Sequence, residues 1–251
     1  MNRAEGDVDK VVRARFFPQQ RSGVFVDVGA ARPDFLSISA LYRDLGWTVI
    51  AIEPNPEFCK LHRNSGHEVL EYACGDHDED DVSFSVIDSH GAEYGTDTPG
   101  KISYEAYSSL AIKPGYADLD PSAALDVKKI KVNLRRLDTI LAKHAPGIER
   151  IDILSVDVEG WETEVLDGLD FARYRPRVLI IENLFNDAKY WSYMRQKGYA
   201  LWRNLPPNDV YTCQQLTLAE RCRAWLRLAV MRAPAPLKRA IYAVRNRAPK
   251  P

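Results

Sequence analysis

Four carboxylates stand in the same kind of place. Asp27, Glu53, Asp157 and Glu182 each follow or close a short apolar run: Val24-Phe25-Val26, Val49-Ile50-Ala51-Ile52, Ile153-Leu154-Ser155-Val156 and Val178-Leu179-Ile180-Ile181. Runs this apolar and this rich in β-branched residues read as parallel strands buried on both faces. Open parallel sheets bind ligands outside the carboxyl ends of their strands, so the sequence places its acids where a ligand is expected. Carboxylates there can accept hydrogen bonds from sugar hydroxyls, take a proton, or hold a hard cation.

The first two runs suggest a nucleoside. Between them, Phe35 to Leu45 has the apolar spacing of a helix packed on a sheet, so the unit reads strand, turn, helix, strand, acid. In such a half-fold a glycine after the first strand, here Gly29, lets backbone approach the ligand, and an acid about 20 residues on accepts both ribose hydroxyls. Glu53 is that acid. The turn continues Ala30-Ala31-Arg32-Pro33 and lacks the second and third glycines of a dinucleotide fingerprint. A nucleoside without phosphate, such as S-adenosylmethionine, fits this turn better than NAD. Asp76, after the run Glu68 to Ala73, is a candidate for the adenine amino group or a solvated loop charge.

The later acids suggest chemistry at oxygen. Ile151 to Val156 empties into Asp157-Val158-Glu159-Gly160, and Arg177 to Ile181 into Glu182-Asn183. A hydroxyl that reacts as a nucleophile must lose its proton, which an alcohol does poorly near pH 7 without a base or Lewis acid. Asp157, Glu182 and Asn183 form a set of hard oxygen ligands suited to Mg²⁺ or a similar divalent cation. Glu159 or His144 is the alternative, as a metal-free base, and Asp157 as a simple turn cap is a third reading.

The elements that must hold these residues follow from the pattern. Residues 8 to 17 read as a short covering helix. Asn55 and Pro56 are placed to cap and open a helix reaching about Arg63, ended by Gly66. Glu68 to Ala73 reads as a third strand, Val82 to Asp88 and Lys129 to Leu134 as further strands, and Leu137 to Lys143 and Trp161 to Leu169 as helices. Residues 89–126 mix glycines with His90, Tyr94, Tyr104, Tyr107 and Tyr116. A stretch so long reads as a substrate-facing lid or as a loop packed on its own domain.

Taken together, Phe25-Val26-Asp27-Val28-Gly29-Ala30, Ile52-Glu53-Pro54-Asn55-Pro56, Asp152 to Gly160 and Ile181-Glu182-Asn183 resemble the FkbM-family methyltransferases, a branch of the class I S-adenosylmethionine-dependent enzymes. The resemblance covers roughly residues 20–213. It implies a doubly wound, mostly parallel, seven-stranded Rossmann-like α/β sheet whose last strands, about Tyr199 to Arg203 and Val210 to Cys213, form an antiparallel hairpin. It also implies O-methylation of a hydroxyl on a sugar, in a glycan or glycolipid, or on a natural product. Cofactor contacts fall on Asp27, Gly29, Ala30, Glu53 and Pro54. The chain departs from the family at Ala31-Arg32-Pro33, where relatives commonly keep a second glycine, and Arg32 is placed to grip the methionine carboxylate instead. The acid and acid-amide set is similar to that of the metal-dependent catechol-type O-methyltransferases. A non-catalytic nucleoside-binding or interaction module and an NAD-dependent oxidoreductase are the competing classes.

Composition bounds the rest. A chain of 251 residues, 45% hydrophobic, suits one catalytic domain over 1–216 followed by a helical tail over 217–251. The polar opening and the lack of a long apolar run lead us to expect a cytoplasmic protein, and the four scattered cysteines are expected as free thiols. Nine Lys and Arg against Glu220 give residues 217–251 a charge of +8, leaving −9 for residues 1–216 of the total of −1. The acidic body argues against a nucleic-acid groove. In the tail, Leu218, Cys222, Trp225, Leu226 and Ala229 share one helical face, with Glu220, Arg223 and Arg227 opposite. After Pro234 and Pro236 the pattern repeats from Leu237. Such segments either pack on the body or lie on an anionic membrane.

Overall fold

The structure, a computed structural model, describes residues 4, 7–88, 93–94, 102–103, 108, 110 and 126–232. In chain order the elements are α1 (Val8–Phe16), β1 (Val24–Val28), α2 (Ala40–Asp44), β2 (Thr48–Ile52), α3 (Pro56–Asn64), β3 (Ala73–Gly75), β4 (Glu79–Asp88), β5 (Glu93–Tyr94), β6 (Ile102–Ser103) and β7 (Asp126–Arg136). They continue with α4 (Leu137–His144), β8 (Ile153–Val156), α5 (Glu162–Asp167), α6 (Phe171–Tyr174), β9 (Val178–Glu182), α7 (Lys189–Gln196), β10 (Ala200–Leu205), β11 (Asn208–Thr212) and α8 (Leu218–Arg232).

The apolar runs form the centre because each has something to bury on both faces. Val26, Val28, Leu154, Val156, Leu179 and Ile181 point into one core, shared with Leu137 and Ile140 of α4, Val165 of α5 and Met194 of α7. The alternating residues Phe25, Ile153, Val178 and Ile180 enter a second core with Val8, Val12 and Phe16 of α1 and Tyr42 of α2. A period of two thus shares each strand between two layers of helix. The resulting sheet runs β10-β11-β9-β8-β1-β2, parallel from β9 to β2 and antiparallel at β9-β11-β10.

Register builds the site. Val28 pairs with Ile52 and with Val156, and Val156 pairs with Ile181, so these four residues lie in one row across the sheet. The next residue of each strand, Gly29, Glu53, Asp157 and Glu182, therefore emerges at one rim. Gly29 has φ +79, and a Cβ there would lie 1.7 Å from the Asp157 carbonyl oxygen. The glycine is required by the packing of β1 against β8 itself, whatever it also does for a ligand.

Two expectations are corrected. The expected seven-stranded sheet has six strands among the described residues: the segment expected as the third strand meets β2 only through a bridge between Ile52 and Leu70. The chain then turns away, and β3 pairs with β7, whose other edge carries β4 along nearly its whole length. The helix expected from Phe35 begins at Ala40, because Leu36 adopts φ +55 and residues 33–36 bend instead of coiling. The first tail helix is present as α8; the second, expected from Leu237, lies outside the described residues. The Asn55 cap is present, its Oδ1 accepting from Glu57 N with Pro56 in the first turn. All four cysteines are free, Cys59 and Cys74 buried.

Candidate functional site

A cavity of about 240 Å³ opens at this rim. Its walls come from the loop after β1, including Gly29, Ala30, Arg32, Phe35 and Leu36, from Glu53 and Pro54 after β2, and from Phe58, Phe84 and Trp161. Asp157, Val158 and Glu159 after β8, Glu182 and Leu184 at the end of β9, and Pro207 and Asn208 of the hairpin close it. Ser108 and Leu110 reach it from the stretch expected as a lid, and Ser108 Oγ accepts from the Ile87 amide. Of the residues on which the lid expectation rested, His90, Tyr104, Tyr107 and Tyr116 lie outside the described residues and Tyr94 ends β5.

Glu53 is nearly inaccessible, at 5% exposure. One oxygen accepts from Ala31 N at 2.9 Å and the other from Asn55 N at 2.8 Å, so both are fixed while each keeps a lone pair. Burial pushes its pKa up to about 7, against those two N–H bonds. Asp27, beside it in the lining, is also raised by burial, opposed by the Ser39 hydroxyl and the Arg43 charge. Ala31 takes φ +41 and is clamped on its other side by His62, whose Nε2 donates to the Ala31 carbonyl at 3.1 Å. His62 is buried on α3 and supports the loop from behind. The sequence reading missed it; its position four residues after Phe58 on the buried face of α3 was the signal available.

The second half of the rim is an acid group. Oxygens of Asp157, Glu159 and Glu182 lie within 4.8 Å of one another. Glu159 reaches the group from a backbone at φ +57, followed by Gly160 at φ +96. A non-glycine residue in that region carries strain, here at a turn that places a carboxylate in the cavity. The turn is held by Glu162, whose Oε1 accepts from Gly160 N at 2.8 Å and whose Oε2 accepts from the Tyr190 hydroxyl.

The structure brings Asp27, Gly29, Ala30, Arg32, Glu53, Pro54, Asp157, Glu159 and Glu182 to one cavity. Three other candidates do not reach it. Asn183 is buried but turned away: its Oδ1 accepts from Asp187 N at 2.7 Å and its Nδ2 donates to Asp209 Oδ2 at 2.7 Å and to the Asp187 carbonyl. In the converging acid group Glu159 takes the place expected for Asn183. Asp76 is exposed, paired with His77 at 2.6 Å, because it follows β3, which lies in the second sheet and not in the one whose rim forms the cavity. His144 is exposed at the end of α4 and meets the cavity only through Tyr72, whose hydroxyl lies 3.1 Å from its Nε2. Asn208 was not foreseen; it reaches the rim because the antiparallel register sets it opposite Glu182.

This arrangement can hold a small polar ligand between a buried carboxylate and an acid group. Among the described residues its charged lining is Asp27, Glu53, Asp157, Glu159 and Glu182 against Arg32, which disfavours a pyrophosphate and favours a neutral or cationic ligand. The sequence model described as the methyltransferase FkbM domain matches residues 27–201. A 48-residue stretch is 50% identical to methyltransferase sdnD of Sordaria araneosa, covering 17% of this chain and 18% of that protein. The crystal structure of methyltransferase FkbM from Methylobacillus flagellatus KT aligns over 76% of this chain and 44% of its own, with TM-score 0.44 and 14% identity. The chain thus spans less than half the length of either of these relatives.

Proposed function

We infer from the fact that this chain belongs to the FkbM methyltransferase family that its cavity takes S-adenosylmethionine and that the reaction is transfer of a methyl group to a hydroxyl. The observation that carries the cofactor reading is Glu53: a buried carboxylate at the carboxyl end of β2, both oxygens oriented by backbone N–H groups, in the cavity lining beside the glycine turn. It is built to accept the two ribose hydroxyls. Phe35, Leu36, Phe58 and Phe84 supply apolar wall for the base, and the excess of carboxylates suits a ligand carrying a sulfonium and an ammonium group. Arg32 offers the cation among the described lining residues for the ligand's carboxylate. The competing NAD reading would set a pyrophosphate among five acids.

When bound, S-adenosylmethionine supplies an electrophilic methyl group. The protein's part is to hold the acceptor oxygen in line and to receive its proton. Asp157, Glu159 and Glu182 are the groups placed for this at the same rim. The same three acids form a ligand set for a divalent cation such as Mg²⁺, which lowers the pKa of a bound hydroxyl; their mutual approach favours this second reading over a lone base. The acceptor class, a hydroxyl of a saccharide or natural product, rests on the family resemblance alone.

The test is transfer of labelled methyl from S-adenosylmethionine to glycan and lipid extracts by the purified chain. Label should appear in an alkali-stable ether, and Asp157→Asn or Glu182→Gln should lower its rate at least about 100-fold while leaving cofactor affinity within a few-fold. Loss of activity in excess EDTA, restored by Mg²⁺, supports the cation; full turnover in EDTA leaves the acids as bases. Label in no acceptor, with cofactor bound, favours a non-catalytic binding module.

A further inference from the structure

The pattern of α8 gives it an apolar face, Leu218, Cys222, Trp225, Leu226 and Ala229, and a polar one around Glu220, Arg223 and Arg227. A helix that ends a domain would ordinarily bury the first and expose the second. Here the docking is largely reversed. Glu220 is 5% exposed and accepts from Arg15 at 2.6 Å, from Trp202 Nε1 at 2.8 Å and from Thr217 N at 2.8 Å. Arg227 donates to Asn186 Oδ1, and Leu228 and Met231 complete the contact with the core. The face left outside carries Leu218 at 76% exposure, Trp225 at 72% and Leu226 at 63%, with Cys222 and Ala229 also exposed.

Exposed large apolar side chains in a row mark a contact surface, and the charges around them say with what. Arg221, Arg223 and Arg232 are exposed on the same helix, while its single acid is buried against Arg15. The residues after 232 add Lys238, Arg239, Arg245, Arg247 and Lys250 and no acid, so the chain that follows is like-charged with this face. A second copy meeting it through a symmetric contact would set arginines against their own images. A surface that is negative and accepts Trp and Leu side chains satisfies both features. We propose that α8 docks this protein onto an anionic lipid bilayer, with Trp225, Leu226 and Leu218 entering the headgroup boundary and Arg221, Arg223 and Arg232 facing lipid phosphates.

The whole-chain charge supports this orientation. Residues 1–216 carry −9 and are repelled by the same surface, so the molecule approaches tail first. The helix is also tied to the cavity. Asn186, the partner of Arg227, lies two residues beyond Leu184 of the cavity wall, with the half-exposed Phe185 between them. The proposal does not depend on the reaction assigned to the cavity.

Flotation of the full chain with vesicles of phosphatidylcholine containing about a third phosphatidylglycerol tests it. Binding should be clear at low salt, weak at high salt and weak on phosphatidylcholine alone. Arg221→Glu with Arg223→Glu should lower partitioning at least about 25-fold, since each arginine near an anionic leaflet is worth roughly fivefold. Trp225→Glu with Leu226→Glu should lower it at least tenfold without changing the melting temperature, because both side chains are exposed. Three results would overturn the proposal: a parent chain that ignores anionic vesicles, a Trp225→Glu, Leu226→Glu chain that binds as tightly as the parent, or a dimeric parent that this pair of substitutions converts to monomer without altering flotation.

Discussion

Glu53 is both buried and ionisable, and that combination sets a pH dependence. Its pKa of about 7 stands above the ordinary 4.5, so between those values the folded chain binds a proton that the unfolded chain has released. The stability from this site is present below about pH 4.5 and is lost as pH rises through about 7, by on the order of 3 kcal/mol. Thermal melts should show this limb, and Glu53→Gln should flatten it; an unchanged limb would place the titration elsewhere. Asn183 yields the contrasting case. With both ends of its amide engaged inside the protein, Asn183→Ala should cost about 2 to 4 kcal/mol of stability and leave cofactor affinity within a few-fold, as denaturant melts and calorimetry would show. A stable variant that no longer binds cofactor would return Asn183 to the site. Sequence alone placed Asn183 at the correct strand end; it did not carry the direction of the side chain, which is fixed by Asp187 and Asp209.

At the scale of elements, what was legible is what periodicity dictates. The four buried strands, the Asn55 cap and the final hairpin all appear within a few residues of their expected bounds, because apolar runs and capping chemistry are local. What failed was decided at a distance. Glu68 to Ala73 has a strand's composition, yet β7 draws β3 into a second sheet and leaves a single bridge at Leu70. Phe35 to Ile38 has a helix's spacing, yet Leu36 turns left-handed and those residues line the cavity. The close approach of β1 and β8 makes its own prediction. Gly29→Ala adds a Cβ 1.7 Å from the Asp157 carbonyl at φ +79, so β1 and β8 must part at the rim. The cost should exceed about 2 kcal/mol. A Gly29→Ala chain that melts with the parent and binds cofactor normally would contradict this packing.

For the molecule as a whole, two features of the sequence acquire a common geometry: acids at strand ends and a charge split between body and tail. Register gathers Glu53, Asp157, Glu159 and Glu182 around one cavity, and α8 turns its apolar face and its arginines outward from an acidic body. No helix among the described residues is long and apolar enough to cross a membrane. The central claim concerns the cavity, and calorimetric titration of the purified chain with S-adenosylmethionine and, separately, with NAD tests it most directly. We expect S-adenosylmethionine to bind at pH 8 and NAD not to. Affinity should fall as pH is lowered through about 7, where Glu53 takes up its proton. Glu53→Ala should cost about 2 to 4 kcal/mol of binding, some 30- to 1,000-fold. Binding of NAD in preference to S-adenosylmethionine, or S-adenosylmethionine affinity indifferent to Glu53, would contradict the account.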